Sequence, residues 1–193
     1  MRGLSLKPRV RVIADQRIDT VRLLLRPPVA GDAAEIARLL SIWNVAHWLV
    51  RVPFPYRIEH ARAWVDRSGQ ERSAGAGWPY VIFRRDNGAL VGSIDLSVEA
   101  DRKSAALGYW LGQPFWGQGF ASEASRAMIR FAFENLKLRQ VTANALPENT
   151  RSIRVLEKIG LQYVEMRPED TVERGRIDTA FFALDRADWS GEG

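Results

Sequence analysis

Three groups of residues in this chain have types and spacings suited to chemistry. The first is Trp116-Gly117-Gln118-Gly119-Phe120-Ala121, followed at once by a helical run from Ser122 that carries Ala124, Met128, Ile129, Phe131, Ala132 and Leu136. Two glycines and an alanine at a helix start let several backbone N–H groups crowd around one anion, which the positive end of the helix dipole also favours. A plain glycine turn between a strand and a helix is the alternative. Nucleotide motifs fit badly. No Lys-Ser or Lys-Thr follows the glycines, and Ser122 stands where G-x-G-x-x-G needs its third glycine or alanine. The cradle therefore serves another phosphate.

The second group is Asn149 and Ser152, three apart and so on one face of a helix. Alone they read equally as an N-cap and a tolerated polar residue in the first turn. The third is Asp95, set between Ile94 and Leu96. It is either an outward-facing charge on an alternating strand or a carboxylate that orients or deprotonates an amine. With no cysteine, no G-x-S-x-G and only His47 and His60 as candidate bases, the chain offers no nucleophile triad. Two distant histidines and unclustered acids offer no metal ligand set either, so no metal is expected.

The glycine loop, read on through Ser122-Glu123-Ala124, resembles the pyrophosphate loop of the GNAT acetyltransferases, in particular the branch of the RimJ/RimL ribosomal-protein N-acetyltransferases. The superfamily form is Gln/Arg-x-x-Gly-x-Gly/Ala. Here Trp116 holds the first place while Gly119 and Ala121 match, which leaves the phosphate more dependent on backbone contacts. Two further stretches agree. Residues 149–161 resemble the family's Asn-x-x-Ser helix ending in Glu-Lys-x-Gly, and residues 20–27 with Asp32 resemble the branch's opening strand and first helix.

The resemblance implies acetyl-coenzyme A as co-substrate, lying between two parallel strands that splay apart, with an amine attacking its thioester directly. The strands would be residues 105–111 and 139–146. Peptide groups around Tyr109, Trp110 and Leu111 would meet pantetheine and thioester, and the 116–122 loop (Trp116, Gly117, Gln118, Gly119, Phe120, Ala121, Ser122) with Asn149 and Ser152 would meet the rest. Many members place a tyrosine before the Glu-Lys to protonate the leaving thiolate. Leu156 occupies that place here, and Ser152 is the replacement the branch suggests. Arg126 and Arg130, or Arg151, Arg154 and Lys158, are either ribose-phosphate contacts or solvated helix faces.

The elements that must hold these residues follow from patterning. An alternating strand over 19–26 ends at Pro27-Pro28, and Asp32 caps a helix with Ile36, Leu39 and Leu40 on one side. Residues 43–56 read as a loop or short helix over a cleft, in which His47, Trp48, Phe54 and Tyr56 either line an acceptor pocket or close the core. A helix over 59–70 turns Ala63, Trp64 and Ile58 inward, and 68–77 is a polar turn. Strands at 78–84 and 90–98 flank the hairpin turn Asp86-Asn87-Gly88. The strand 105–111 then delivers the loop. Strand 139–146 follows the long helix, in the parallel, neighbouring arrangement usual for such a succession. A helix from Asn149 to Gly160 precedes strands at 162–166 and 177–184, joined by a charged loop over 168–176.

The fold class is thus α+β, a mixed, largely antiparallel sheet with helices on both faces. An N-terminal extension over 1–18 precedes a single GNAT-like domain over 19–193. At 193 residues with 46% hydrophobic content and seven tryptophans, the chain can bury a proper core and is no disordered segment. Without cysteines no disulfides are expected, and without an N-terminal apolar run no export or membrane signal is expected, so the expected address is cytoplasmic. The net charge of +5 suits coenzyme A phosphates. It arrives without the interleaved basic and aromatic strip of a nucleic-acid binder.

The reading is an acetyl-coenzyme A-dependent N-acetyltransferase acting on an amine, most readily a protein or peptide N-terminus. The rivals are a small-molecule amine such as an aminoglycoside, and a coenzyme A-binding regulatory module without turnover. A homodimer is expected from the many large aromatics and from the habit of the branch.

Overall fold

In the computed structural model, which describes residues 16–172 and 174–191, a single eight-stranded sheet runs in the order β1-β2-β3-β4-β5-β6-β8-β7. Its strands are β1 (Ile18–Asp19), β2 (Leu23–Arg26), β3 (Tyr80–Arg84), β4 (Leu90–Val98), β5 (Ser104–Leu111), β6 (Gln140–Ala145), β7 (Gln162–Thr171) and β8 (Gly175–Asp185). All neighbours are antiparallel except β5 and β6. The helices are α1 (Ala33–Leu40), α2 (Trp43–Ala46), α3 (Ile58–Ala74), α4 (Phe120–Arg130) and α5 (Thr150–Lys158).

Strand alternation sorts the core into two layers. Leu23, Leu25, Tyr80, Ile82, Ile94 and Leu96 pack on one face against α4, through Ala124 and Met128, and against Leu156 of α5. Their neighbours Val81 and Leu90 pack on the other face with Ile36, Leu39 and Leu40 of α1, Tyr56 and Ala61. Because successive side chains on a strand point to opposite faces, Asp95, between Ile94 and Leu96, belongs to the α1/α3 face.

The register of the parallel pair determines where the sheet opens. Ser104, Ala105 and Ala106 pair with Gln140, Val141 and Thr142, and there the pairing stops. Both strands continue, β5 still bonded to β4 as far as Leu111 and β6 to β8 as far as Ala145. From Leu107 onward the two diverge, and the edge groups they would have shared face each other across a gap.

Several elements depart from the sequence reading. The first strand is a hairpin, because the Thr20 N–H donates to the Leu23 carbonyl and the Thr20 hydroxyl oxygen accepts the Leu23 N–H, and Val21 at its tip is 90% exposed instead of facing inward. The helix α3 runs on through the expected polar turn to Ala74, where Gly75 ends it with φ of 62°. Its Ser68 and Ser73 hydroxyls donate back to the Trp64 and Gly69 carbonyls, so these polar residues sit in the helix without loss. Ala61 is its buried apolar residue, Ala63 is exposed, and Arg72 is buried with its guanidinium over the rings of Trp78 and Tyr80. The long helix ends in a π-helical turn over Phe131–Asn135. Most of the charged loop over 168–176 is strand, closing in a tight turn after Thr171, with Pro168 on the edge strand β7 where sheets tolerate proline. The expected extension, residues 1–18, lies outside the described residues except for its last three, of which Ile18 pairs with Leu25.

Candidate active site

One cavity of about 930 Å³ passes through the gap between β5 and β6. Leu107 to Leu111 and Ala143 to Leu146 form its throat, the glycine loop and α5 line one side, and residues from 36 to 71 line the other. A second cavity, of about 210 Å³, lies away from it beside Arg126, Arg130 and Lys158.

The glycine loop has the backbone its sequence suggested. Gly117 and Gly119 have φ of 74° and 80°, the left-handed region that side chains rarely enter. Gly119 caps α4, whose first backbone bond runs from the Glu123 N–H to the Gly119 carbonyl at 3.0 Å. The N–H groups of Phe120, Ala121 and Ser122 stand ahead of that ladder, free for an anion. The Phe120 side chain is buried in the core, and Ser122 is also buried, so these residues address the cavity through their backbone edge. Gln118 is turned away: its side-chain amide donates to the Pro114 carbonyl at 2.9 Å.

A clasp invisible to sequence reasoning holds this loop. Arg22 donates through Nε to Glu123 Oε2 at 2.7 Å and through Nη1 to the Gln118 carbonyl at 2.9 Å, with its guanidinium 4.7 Å from the Phe120 ring centre. The other Glu123 oxygen accepts from the Thr20 hydroxyl at 2.6 Å and the Arg22 N–H at 2.8 Å. Burial alone would raise the Glu123 pKa, but the bonds from Thr20 and Arg22 together outweigh it and hold the carboxyl below its usual range. A carboxylate in the first turn of α4 is thereby neutralised where it would otherwise repel a phosphate. The partners lie about a hundred residues apart, and no local pattern announces the pair.

Trp116 closes the end of β5, its indole N–H donating to the Leu111 carbonyl at 2.8 Å. The Arg151 guanidinium lies 4.7 Å from its ring centre. Arg151 and Arg154 line the large cavity, whereas Arg126, Arg130 and Lys158 line the small one. The two sets of cations are thus separated in space.

At the throat, Asn149 caps α5 by accepting the Ser152 N–H at 3.2 Å, and both residues border the cavity. Leu156, in the place of the expected tyrosine, is buried. A phenol arrives from elsewhere: the Tyr109 hydroxyl lies 3.0 Å from Ser152 Oγ. Sequence reasoning valued Tyr109 for its backbone alone. Burial pushes its pKa up to about 12, against the smaller opposite effect of Ser152. The pair therefore keeps both protons across the working range. One bridges the two oxygens and the other is left for the cavity.

On the α1/α3 side, Asp95 stands opposite Gly108 in the β4–β5 register. A Cβ on Gly108 would come within 2.9 Å of Asp95 Oδ1, so the glycine makes room for the carboxylate beside β5. Asp95 accepts a hydrogen bond from the Ser97 hydroxyl at 3.1 Å. Burial pushes its pKa up to about 6, with Ser97 and Arg51 pulling down and Glu71 adding to the rise. It borders the cavity, half-buried on the sheet face that α1 and α3 cover. Trp48 and Tyr56 line the same wall, while His47 stacks on Trp43 and Phe54 meets it edge-on, both outside the cavity. The cavity is charge-polarised. Its loop and α5 side carries Arg151 and Arg154 and no carboxylate, while Asp95 stands across the gap.

Among the described residues no group of histidine and acidic side chains is arranged to hold a metal, and no helix is long and apolar enough to cross a membrane.

Comparison with known proteins gives the family and the fold. The pattern of the family described as "Acetyltransferase (GNAT) domain" matches residues 22–162. A Bacillus licheniformis protein, described as the uncharacterized N-acetyltransferase p20, is 28% identical over 174 residues, covering 89% of this chain and 97% of its own. Among solved structures, the ribosomal-protein-S5-alanine acetyltransferase from Vibrio fischeri superposes with a TM-score of 0.77 at 17% identity, over 91% of this chain and 99% of that one. The spermidine N-acetyltransferase of Vibrio cholerae, solved with coenzyme A and spermine, superposes with a TM-score of 0.74 at 19% identity, over 88% and 98%.

Proposed function

Since the chain belongs to the GNAT acetyltransferase family and is an acetyl-coenzyme A-dependent N-acetyltransferase, we propose that its acceptor is the α-amine of a protein or peptide, acetylated directly at the gap between β5 and β6. The observation that carries this reading is the charge-polarised cavity through the sheet opening, with an anion cradle and two arginines on one side and, on the other, Asp95 as the carboxylate without an ion pair among the described residues.

In this account the loop N–H groups and Arg151 hold the pyrophosphate and neighbouring phosphate, and the pantetheine passes between the diverging strands. The thioester comes to rest near Tyr109 to Leu111, where backbone groups left unpaired by β6 stabilise the developing oxyanion. Asp95 takes the proton of the attacking amine. The carbon–sulfur bond breaks as the carbon–nitrogen bond is completed, and the free proton of the Tyr109–Ser152 pair is donated as a hydrogen bond to the sulfur. A thiolate with a reference pKa near ~8.5 needs little more help than that.

An α-amine with pKa near ~8 is about a tenth neutral at pH 7, whereas a lysine near ~10.4 is neutral at only a few parts in ten thousand. A single carboxylate with pKa of about 6 suits the first and serves the second poorly. The test is thiol release with two forms of one lysine-containing peptide, one with a free and one with a blocked N-terminus. The free form should turn over at least about tenfold faster. Equal rates would reassign the acceptor to lysine, and coenzyme binding without thiol release would leave a regulatory module. The proposal extends to a cytoplasmic location and to association of two chains. The latter is supported by the edge strand β7, where Tyr163 and Val164 are more than half exposed.

A further inference from the structure

The wall of the cavity that would receive the amine is mostly apolar. Leu40, Val45, Trp48, Tyr56 and Trp64 line it, contributed by α1, α2, α3 and the segment between them. This wall is fastened: the Val172 N–H donates to the Val50 carbonyl at 2.9 Å, and the Arg174 guanidinium donates to the His47 carbonyl.

The charged groups on this side are Arg51, Arg67, Glu71, Asp95 and Glu169. Four of them are already matched: Arg67 pairs with Glu71 at 3.5 Å, and Arg51 with Glu169 at 3.0 Å. Glu169 also accepts from the Asn144 side chain at 2.8 Å. Asp95 has no ion pair among the described residues, only the hydroxyl of Ser97. Two arginines against three carboxylates leave one negative charge, which matches one ammonium.

We infer that the acceptor is a monoamine whose amine-bearing carbon carries an aromatic or branched aliphatic group, with the amine on Asp95 and that group against the Trp48, Tyr56 and Trp64 wall. The inference rests on the transfer reading given above. A polyamine or aminoglycoside would bring several ammonium groups into a space that offers one unmatched carboxylate, and the others would be desolvated without a partner. A small first residue such as serine or alanine would leave the aromatic wall in contact with water. A bulky one removes both surfaces from it.

The same chemistry is carried by a polypeptide whose first residue is large and apolar and by a free arylalkyl or branched alkyl amine, and one experiment separates them. Thiol release from acetyl-coenzyme A is followed with the full chain and peptides identical except for Phe, Leu, Ala or Ser at the first position. 2-Phenylethylamine, spermidine and kanamycin are run beside them. The Phe and Leu peptides should exceed the Ala and Ser peptides in kcat/KM by at least about thirtyfold, within the range that pocket filling supplies. Trp64→Ala should bring that ratio towards one while the affinity for acetyl-coenzyme A holds. Turnover of 2-phenylethylamine within about tenfold of the Phe peptide assigns the site to small amines, and turnover of the peptide alone assigns it to chain N-termini. Ala or Ser peptides equal to or faster than Phe, or spermidine or kanamycin ahead of all of them, would overturn the inference and leave the transfer reading intact. No thiol release with any amine, in a protein that binds acetyl-coenzyme A, would remove both.

Discussion

Replacing Asp95 with asparagine should make the protein more stable and less active, with a pH signature that identifies the cause. Burial raises the Asp95 pKa from an ordinary 3.8 to about 6. Below pH 3.8 the carboxyl is protonated in both folded and unfolded chains and contributes no pH dependence. Between 3.8 and about 6 the unfolded chain releases its proton while the folded protein keeps it, so the folded state binds more protons and stability falls as pH rises. Above about 6 both are ionised and the penalty is constant. A rise of roughly two pKa units corresponds to about 3 kcal/mol. The asparagine amide oxygen can still accept the Ser97 hydroxyl, so Asp95→Asn removes the penalty with little change in shape. Urea unfolding of both proteins from about pH 3.5 to 8 should show curves that coincide at the acid end and separate by about 2 to 3 kcal/mol by pH 7, the variant being the more stable. Its kcat/KM at pH 8 should fall by about a hundredfold, as when a positioned base is lost. A stability difference independent of pH, or a less stable variant at pH 7, would refute the burial argument.

The remaining predictions concern the cradle, the thiolate and assembly. Gly119→Glu places a side chain and a negative charge at a φ of 80° beside the anion site, so calorimetry should find no binding of acetyl-coenzyme A while circular dichroism stays native; wild-type affinity would remove the cradle. Ser152→Ala should lower kcat by roughly ten- to a hundredfold with coenzyme affinity little changed. Tyr109→Phe should lower kcat several-fold, and the double variant should fall short of the product of the two, as for a coupled pair. Multiplicative effects would show two independent roles. Sedimentation at micromolar concentration should give a dimer, and a monomer throughout would leave the exposed face of β7 to some other use.

Where the sequence was legible, the signal was local. The glycines of the loop, the Asn149 cap, the Asp86-Asn87-Gly88 turn and the period-two strands are set by backbone requirements within a few residues. The structure has each of them. Boundaries failed where polar residues settled into regular structure through their own hydrogen bonds, as Ser68 and Ser73 do in α3. Residues 19–26 alternate well enough to read as one strand, but the alternation could not show that Thr20 closes a turn within it. Long-range pairs were beyond reach for a different reason. Arg22 with Glu123, Tyr109 with Ser152, and Asp95 over Gly108 depend on which strands become neighbours, which the sheet topology decides and no window of sequence contains. Asp95 remained ambiguous because alternation places it opposite Ile94 without saying whether that face is wet or lined by helices.

In the proposed reaction coenzyme and amine meet in one cavity and react directly, with no acetylated enzyme between them. Initial velocities measured while both acetyl-coenzyme A and a Phe-initiated peptide are varied test it most directly. Lines that intersect in double-reciprocal form are expected, because both substrates must be bound before the acetyl group moves. Parallel lines, with a transient acetyl group recovered on the protein, would mean a covalent intermediate and would contradict direct transfer.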